Sequence, residues 1–239
     1  MAGHHLTLDI DWCSDDTLDY VSSLLVQADK RATWFATHKS AVVDDLNGRS
    51  CFEVGIHPNF LDGSSHGSSV DMVLDHITSL FPDSSIMRTH GLYQSSPVLD
   101  RATSKYGISV DVSLFLPYHS NLSVLIPMGY GEKKIRRVPY FWEDDIEMLN
   151  DYTGFSFRDQ KHHCEGLKIY DFHPVHVALN ISSFDEYVRL KEKKPIFEWD
   201  RKFILKYQKK GKGTLSFFED MIERIQGEKT ISQIVEQEI

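Results

Sequence analysis

Apolar residues at alternate positions mark 6–10 as a strand: Leu6, Leu8 and Ile10 face one way, which leaves Asp9 and Asp11 together on the other, at and just past the strand's C-terminal end. Ser14-Asp15-Asp16 then caps a helix over 16–27, whose apolar positions Leu18, Val21, Leu24 and Leu25 have helical spacing. The pattern repeats along the chain. It predicts strands at 32–37, 51–56, 85–87, 106–112, 135–140 and 167–172, and helices at 41–46, 70–81 and 97–105, with a further helix opening at Trp142-Glu143-Asp144-Asp145. Residues 63–67 read as a Ser/Gly/His loop, 117–134 as a loop-rich segment containing Gly129 and Gly131, and 151–166 as a polar connection with aromatic residues. Helices follow at 183–190, 200–207, 214–225 and 231–236. Strands that alternate with helices imply parallel βαβ units. About seven of them, without a linker between, imply an α/β fold in one domain, a closed or nearly closed barrel over 1–239 with C-terminal helices from about 183.

Polar residues recur where these strands end. Asp9 and Asp11 end the first, His57 the third with His66 nine residues on, and Arg88 and His90 the fourth. Asp111 lies near the end of the fifth, and His173 ends the last with His176 just after. In a parallel barrel these ends share one rim, where active sites are found. Taken singly, each has an ordinary reading as a hydrogen-bonded loop residue or structural pair. Together, two His and one Asp with an open position for water form the donor set of a catalytic zinc-type site.

Composition narrows the partners. The chain has 239 residues, 41% of them hydrophobic, a net charge of −9 and a pI near 5.7. That charge disfavours a general nucleic-acid binder. The basic runs at 191–194 and 206–212 read first as solvated helix faces and second as contacts for anionic lipid or phosphate. Three cysteines (Cys13, Cys51 and Cys164) with no CxxC fit a reducing compartment. With no secretory signal pattern at the N-terminus and no apolar run long enough to span a bilayer, the expectation is a soluble cytoplasmic protein.

Several of these segments carry a family resemblance. Thr7-Leu8-Asp9-Ile10-Asp11, then Ala32-Thr33-Trp34-Phe35, then Glu53-Val54-Gly55-Ile56-His57 resemble the opening of NodB-type polysaccharide deacetylases, with their TFDDG, ATFF and EIGxH segments. Arg88-Thr89-His90-Gly91 is similar to the family's Arg-containing motif, and Tyr170-Asp171-Phe172-His173 to its last motif. Phe217-Phe218-Glu219 and the segment 230–234 resemble its terminal helices. His57-Pro58-Asn59-Phe60 and Phe172-His173-Pro174-Val175-His176 resemble the WbmS-like subgroup of O-antigen loci, and the likeness runs over about residues 5–236. Two departures stand out. Ile10 splits the adjacent Asp pair, which leaves open which carboxylate holds metal. The HxxxH motif has Leu at 61, so His66, or Asn59 in its place, is the expected substitute.

The resemblance implies a distorted (β/α)7 barrel of NodB type and a metal-dependent N-deacetylase acting on an amino sugar. It implies a divalent metal, zinc first, held by Asp11, His57 and His66, with Asp9 as general base, Arg88 holding Asp9 ionised, and His173 protonating the leaving amine. Trp12, Tyr140 and Trp142 are candidates for stacking on sugar or for ordinary packing. His90 and His176 are candidates for supporting the site or binding substrate. The expected partner is an N-acetylated sugar, nucleotide- or lipid-linked, from surface-polysaccharide biosynthesis. The rival readings are a sugar deformylase or another metal hydrolase on the same rim, a metal-free amidohydrolase, and a sugar-binding protein without catalysis.

Overall fold

The computed structural model describes residues 3–130, 133–149 and 155–237. Strand β1 (Gly3–Asp9) is followed by α1 (Asp15–Gln27), β2 (Ala32–Ala36), α2 (Ala41–Gly48), β3 (Phe52–Ile56) and α3 (Val70–Leu80). A short β4 (Ile86–Met87), α4 (Ser96–Tyr106) and β5 (Val110–Phe115) continue the alternation. Serine starts each of these four helices: Ser14, Ser40, Ser69 and Ser95 accept a backbone N–H of the first turn.

Next come β6 (Leu125–Tyr130), β7 (Lys133–Tyr140), β8 (Trp142–Glu143), α5 (Asp144–Leu149) and β9 (Leu167–Phe172). The C-terminal part is helical: α6 (Pro174–Leu179), α7 (Phe184–Lys193), α8 (Arg201–Tyr207), α9 (Thr214–Arg224) and α10 (Ile231–Gln237). The strands form one sheet in the order β6-β7-β5-β4-β3-β2-β1-β9-β8, parallel throughout except for β6 against β7. β7 and β8 are pieces of one run. β7 pairs with β5, the Phe141 N–H donates to the Ile169 carbonyl at 2.8 Å, and β8 pairs with β9. That bent run brings the two ends of the sheet together, so the parallel strands make the nearly closed barrel that the alternation predicts.

Several segments differ from the expectation: Tyr106 ends α4, so the strand expected at 106–112 begins only at Val110, and Trp142–Glu143 is a strand ahead of the helix. Within 117–134, β6 forms an antiparallel edge strand despite Pro127 and Gly129. An edge position tolerates both, because one side of the strand needs no partner. The short α6 was not visible as a periodicity, being too brief to show one, yet Pro174 stands in its first turn, where a missing N–H costs nothing. Gly131 and the part of the 151–166 connection at 151–154 lie outside the described residues.

The barrel interior is layered along its axis. At the N-terminal end Thr33 Oγ1 donates to Glu53 Oε2 at 2.8 Å, and α10 closes the opening by donating Ile231 N–H to Thr33 Oγ1 at 2.9 Å and Ser232 N–H to Glu53 Oε2 at 3.2 Å. Above this layer Phe35 lies against Gly55, where a Cβ would stand 2.8 Å from the Phe35 ring and 3.1 Å from the Ile86 carbonyl. No side chain other than hydrogen fits there. With the lower end closed, the C-terminal rim is left for chemistry.

Candidate metal centre and active site

The chain leaves β1 through a tight turn, closed by Cys13 N–H donating to the Ile10 carbonyl at 2.8 Å, with Asp11 and Trp12 both at positive φ (42° and 56°). Two non-glycine residues in that region are costly and persist only when their surroundings hold them. Here Thr37 Oγ1 accepts the Trp12 N–H at 3.1 Å, and the Asp11 carboxylate reaches groups from three other strand ends.

Asp11 Oδ1 lies 3.2 Å from His57 Nε2 and 3.0 Å from His90 Nδ1, and these two nitrogens are 3.3 Å apart. His57 donates from Nδ1 to the Arg88 carbonyl at 2.8 Å, which makes Nε2 its lone-pair nitrogen. Three donor atoms that close together, one of them a fixed lone pair, suit a divalent cation. Although burial pushes the Asp11 carboxyl up, its contacts with the His57 and His90 rings and the charge of His173 hold it well below the usual range. His90 moves the opposite way to its burial: the Asp11 hydrogen bond and charge raise it.

The structure does not bring His66 into this group. Its Nε2 donates to the Thr37 carbonyl at 2.9 Å, and its Nδ1 accepts the Asn59 N–H at 3.1 Å, so both ring nitrogens are engaged by backbone. The Trp12 ring sits 5.3 Å from both the His66 and the His90 rings, between the loop and the site. Asn59 directs its Oδ1 to the Leu61 N–H at 3.0 Å. The third position beside Asp11 and His57 is held by His90.

Beneath the Asp11 group stands Arg88, fully buried, its guanidinium 4.5 Å from the ring centres of Phe35 and Tyr140. Nη1 donates to Asp9 Oδ1 at 3.0 Å and to Asp171 Oδ1, and Nε donates to the Val112 carbonyl at 3.3 Å. Thr7 Oγ1 also donates to Asp171 Oδ1 at 2.9 Å. Burial pushes the Asp171 carboxyl well up, against the pull of Arg88. Asp9 therefore has one oxygen tied to Arg88, while Oδ2 lies 3.6 Å from His57 Nε2.

On the other side of the rim, Asp144 latches His173 twice. Its Oδ2 accepts the His173 backbone N–H at 2.9 Å and its Oδ1 accepts Nδ1–H at 2.7 Å. His173 Nε2 is thereby turned toward Asp11 Oδ2, 3.5 Å away. Burial alone would lower the His173 pKa, but the charge and hydrogen bond of Asp144 hold it well above the ordinary imidazole range. His176 Nδ1 lies 3.1 Å from Asp144 Oδ1, and its ring meets Tyr187 edge-on, so it braces the latch from behind.

Asp144 and Asp171 are the two site residues that sequence reasoning missed. Asp171 stands two residues before His173 on one strand, and so on the same face, which was a usable signal. Asp144 sits at the end of β8, the position rule that singled out the other groups, but its acidic run reads equally as a helix start. Of the remaining candidates, Asp111 is buried in a pair with Arg137 (2.7 Å) and Ser113 (2.7 Å), apart from these groups. Tyr140 and Trp142 are no stacking platform for sugar. Tyr140 is fully buried against Arg88 and Phe115, and Trp142 is buried among Tyr170, Phe172 and Phe217. Trp12 is half-buried at the rim.

This fold is that of the NodB-type polysaccharide deacetylases. The sequence profile of the WbmS-like polysaccharide deacetylases matches residues 6–191, and the chain belongs to that family. Among solved structures it is similar to WbmS of Bordetella bronchiseptica, assigned as a polysaccharide deacetylase involved in O-antigen biosynthesis. The two share 29% identity over 93% of this chain and 90% of that one, with a TM-score of 0.83. It is also similar in fold to 4-alpha-glucanotransferase from Thermococcus litoralis (12% identity, 99% of this chain and 38% of that one, TM-score 0.56). The peptidoglycan deacetylase PdaC from Bacillus subtilis aligns at 13% identity over 99% and 91% of the two chains, with a TM-score of 0.49. No curated protein matches the chain.

Proposed function

We propose that this protein is a metal-dependent N-deacetylase that removes the acetyl group from an amino sugar during surface-polysaccharide assembly, at the cytoplasmic side. One observation carries the reading. A three-atom donor set (Asp11, His57, His90), a carboxylate tethered by an arginine (Asp9, Arg88) and a histidine held by a carboxylate (His173, Asp144) meet within one rim. Pure sugar binding needs none of the last four. The 29% identity with WbmS over nearly the whole chain supports O-antigen as the pathway class.

Asp11, His57 and His90 would hold the ion, with His90 taking the place expected of His66. A His2Asp set favours zinc, which when bound supplies Lewis acidity toward the amide carbonyl and lowers the pKa of a water. Asp9 accepts the proton of the attacking water on Oδ2, because Oδ1 is occupied by Arg88. Arg88, itself clamped between two rings, fixes the angle of Asp9. As the C–N bond breaks, His173 gives the Nε2 proton to the departing nitrogen, and Asp144 holds the ring in the orientation and charge state for that transfer. The products are acetate and the free amino sugar.

The test is release of acetate from nucleotide-linked and polyprenyl-diphosphate-linked N-acetylhexosamines by the zinc-loaded protein, followed by mass spectrometry, with N-formyl analogues alongside. Acetate release that Asp9→Asn abolishes supports the reading. Release of formate alone transfers the site to a deformylase, and saccharide binding without release of either acid overturns the enzyme reading.

A further inference from the structure

The basic runs in the C-terminal third are not used by this chemistry, and the structure gives them a setting. Residues 184–212 contain ten Lys and Arg against five Asp and Glu, a net charge of +5, so the remaining 210 residues carry −14. The same stretch holds four exposed large apolar side chains: Phe184, Val188, Phe197 and Leu205. Phe197 at 62% and Leu205 at 70% are the most exposed large hydrophobics among the described residues. On α8 the exposed positions Arg201, Lys202, Leu205 and Lys206 fall on one face by spacing, so that a leucine is ringed by basic groups. On α7, Phe184 and Val188 stand one turn apart, beside Arg189 and Lys191.

This surface is fixed rigidly to the catalytic rim. Trp199, fully buried and stacked on Phe203, accepts from Ser14 Oγ through its carbonyl; Ser14 lies three residues beyond Asp11. Arg201 N–H donates to Asp16 Oδ2 at 2.9 Å. Gln208 Nε2 and Lys209 N–H donate to the carbonyls of Ala178 and Leu179 (2.8 and 3.1 Å), on the helix that begins directly after His173. Asp15, Asp16, Glu198 and Asp200 line a shallow surface hollow together with Phe197. Asp16 is engaged by Arg201, and Asp200 by the Phe203 N–H (2.8 Å) and Lys194 (3.4 Å).

We propose that the α7–α8 surface rests on an anionic lipid bilayer, with Phe197 and Leu205 entering the headgroup region and the surrounding Lys and Arg meeting lipid phosphates. Apolar tips among basic side chains have the composition of an interfacial contact, and positive charge gathered in one exposed stretch of an acidic protein orients it toward an anionic surface. The same charge disfavours pairing of this face with itself in a second copy. What the rim does rests on the deacetylase reading, which this contact would direct to a lipid-linked sugar; the contact itself does not.

The test is co-sedimentation of the purified full chain with phosphatidylcholine vesicles, with and without phosphatidylglycerol. Binding is expected only with phosphatidylglycerol, even though a chain of net −9 is repelled overall. Lys202→Glu/Lys206→Glu weakens it by about fivefold or more per residue, Phe197→Ser/Leu205→Ser abolishes it, and Arg49→Glu just past α2 leaves it unchanged. No sedimentation with anionic vesicles, or equal sedimentation of wild type and both double variants, overturns the proposal. So does loss in these variants of only a vesicle-independent self-association. Both double variants keep wild-type turnover of a water-soluble N-acetyl sugar. Absence of that turnover in the wild type would fault the deacetylase reading and leave the vesicle result standing.

Discussion

Replacing Arg88 by Met retains bulk between Phe35 and Tyr140 but removes the cation from two buried carboxylates. Arg88 is fully buried, as is Asp171, and Asp9 is 4% exposed, so water cannot take over the lost contacts. Breaking a buried pair on one side costs about 3–5 kcal/mol, because a charge remains without compensation. For a chain of this length each kcal/mol moves Tm by about 2–4 °C, so Arg88→Met is expected to melt roughly 6–20 °C below wild type. Adding Asp171→Asn removes a carboxyl that, without Arg88, must either stay charged in the interior or take up a proton. The double variant is then expected to be less destabilised than the sum of the singles by about 1–3 kcal/mol. Asp171 also fixes a sign with pH. Its folded-state pKa is raised, so it favours the fold below the ordinary carboxylate range and disfavours it as pH climbs through that range toward the raised value. Thermal melts followed by circular dichroism at pH 5 and pH 8 supply all four corners of the cycle. A single variant within about 1 kcal/mol of wild type, or strict additivity, would refute the view that Arg88 is the cationic post of this site.

Other outcomes follow from the same geometry. Asp144→Asn leaves His173 without its anion. The alkaline limb of the rate profile is expected to move to lower pH, and kcat to fall by about 10²–10⁴. His173 has a raised folded pKa, so its stabilising contribution is complete below the imidazole value of the unfolded chain and is lost as pH rises through the folded value; melts of wild type and variant should converge at high pH. Gly55→Ala drives a methyl into Phe35 and the Ile86 carbonyl, and is expected to cost about 1–3 kcal/mol in a denaturant titration while lowering activity through the displaced Arg88. Asp9→Asn is expected to keep bound metal and lose acetate release, whereas Asp11→Asn loses both; the reverse pattern would exchange the roles of the two carboxylates.

The parallel barrel was legible because its signals are local: alternation in 6–10, helical periods between strands, and polar residues where strands stop. Those stops also pointed to Asp9, Asp11, His57, Arg88 and His173, which the structure gathers at one rim. What was illegible depends on loop paths. The stretch after His57 turns through Gly63 and Gly67, both at positive φ, and delivers His66 to backbone groups of Thr37 and Asn59. Spacing alone does not encode that path, while His90, two residues past Arg88, follows its strand directly to Asp11. Likewise, the Asp171–Arg88 pair spans 83 residues and exists only once β9 lies beside β1. The bent run through Phe141 that joins β7 to β8 is a tertiary event without a local pattern.

Metal content measured on the purified protein and on two variants bears most directly on the proposed centre. Elemental analysis is expected to find one divalent ion per chain in the wild type and in His66→Ala, and none in His90→Ala. An ion retained by His90→Ala and lost from His66→Ala would contradict the assignment and return the third ligand to the loop.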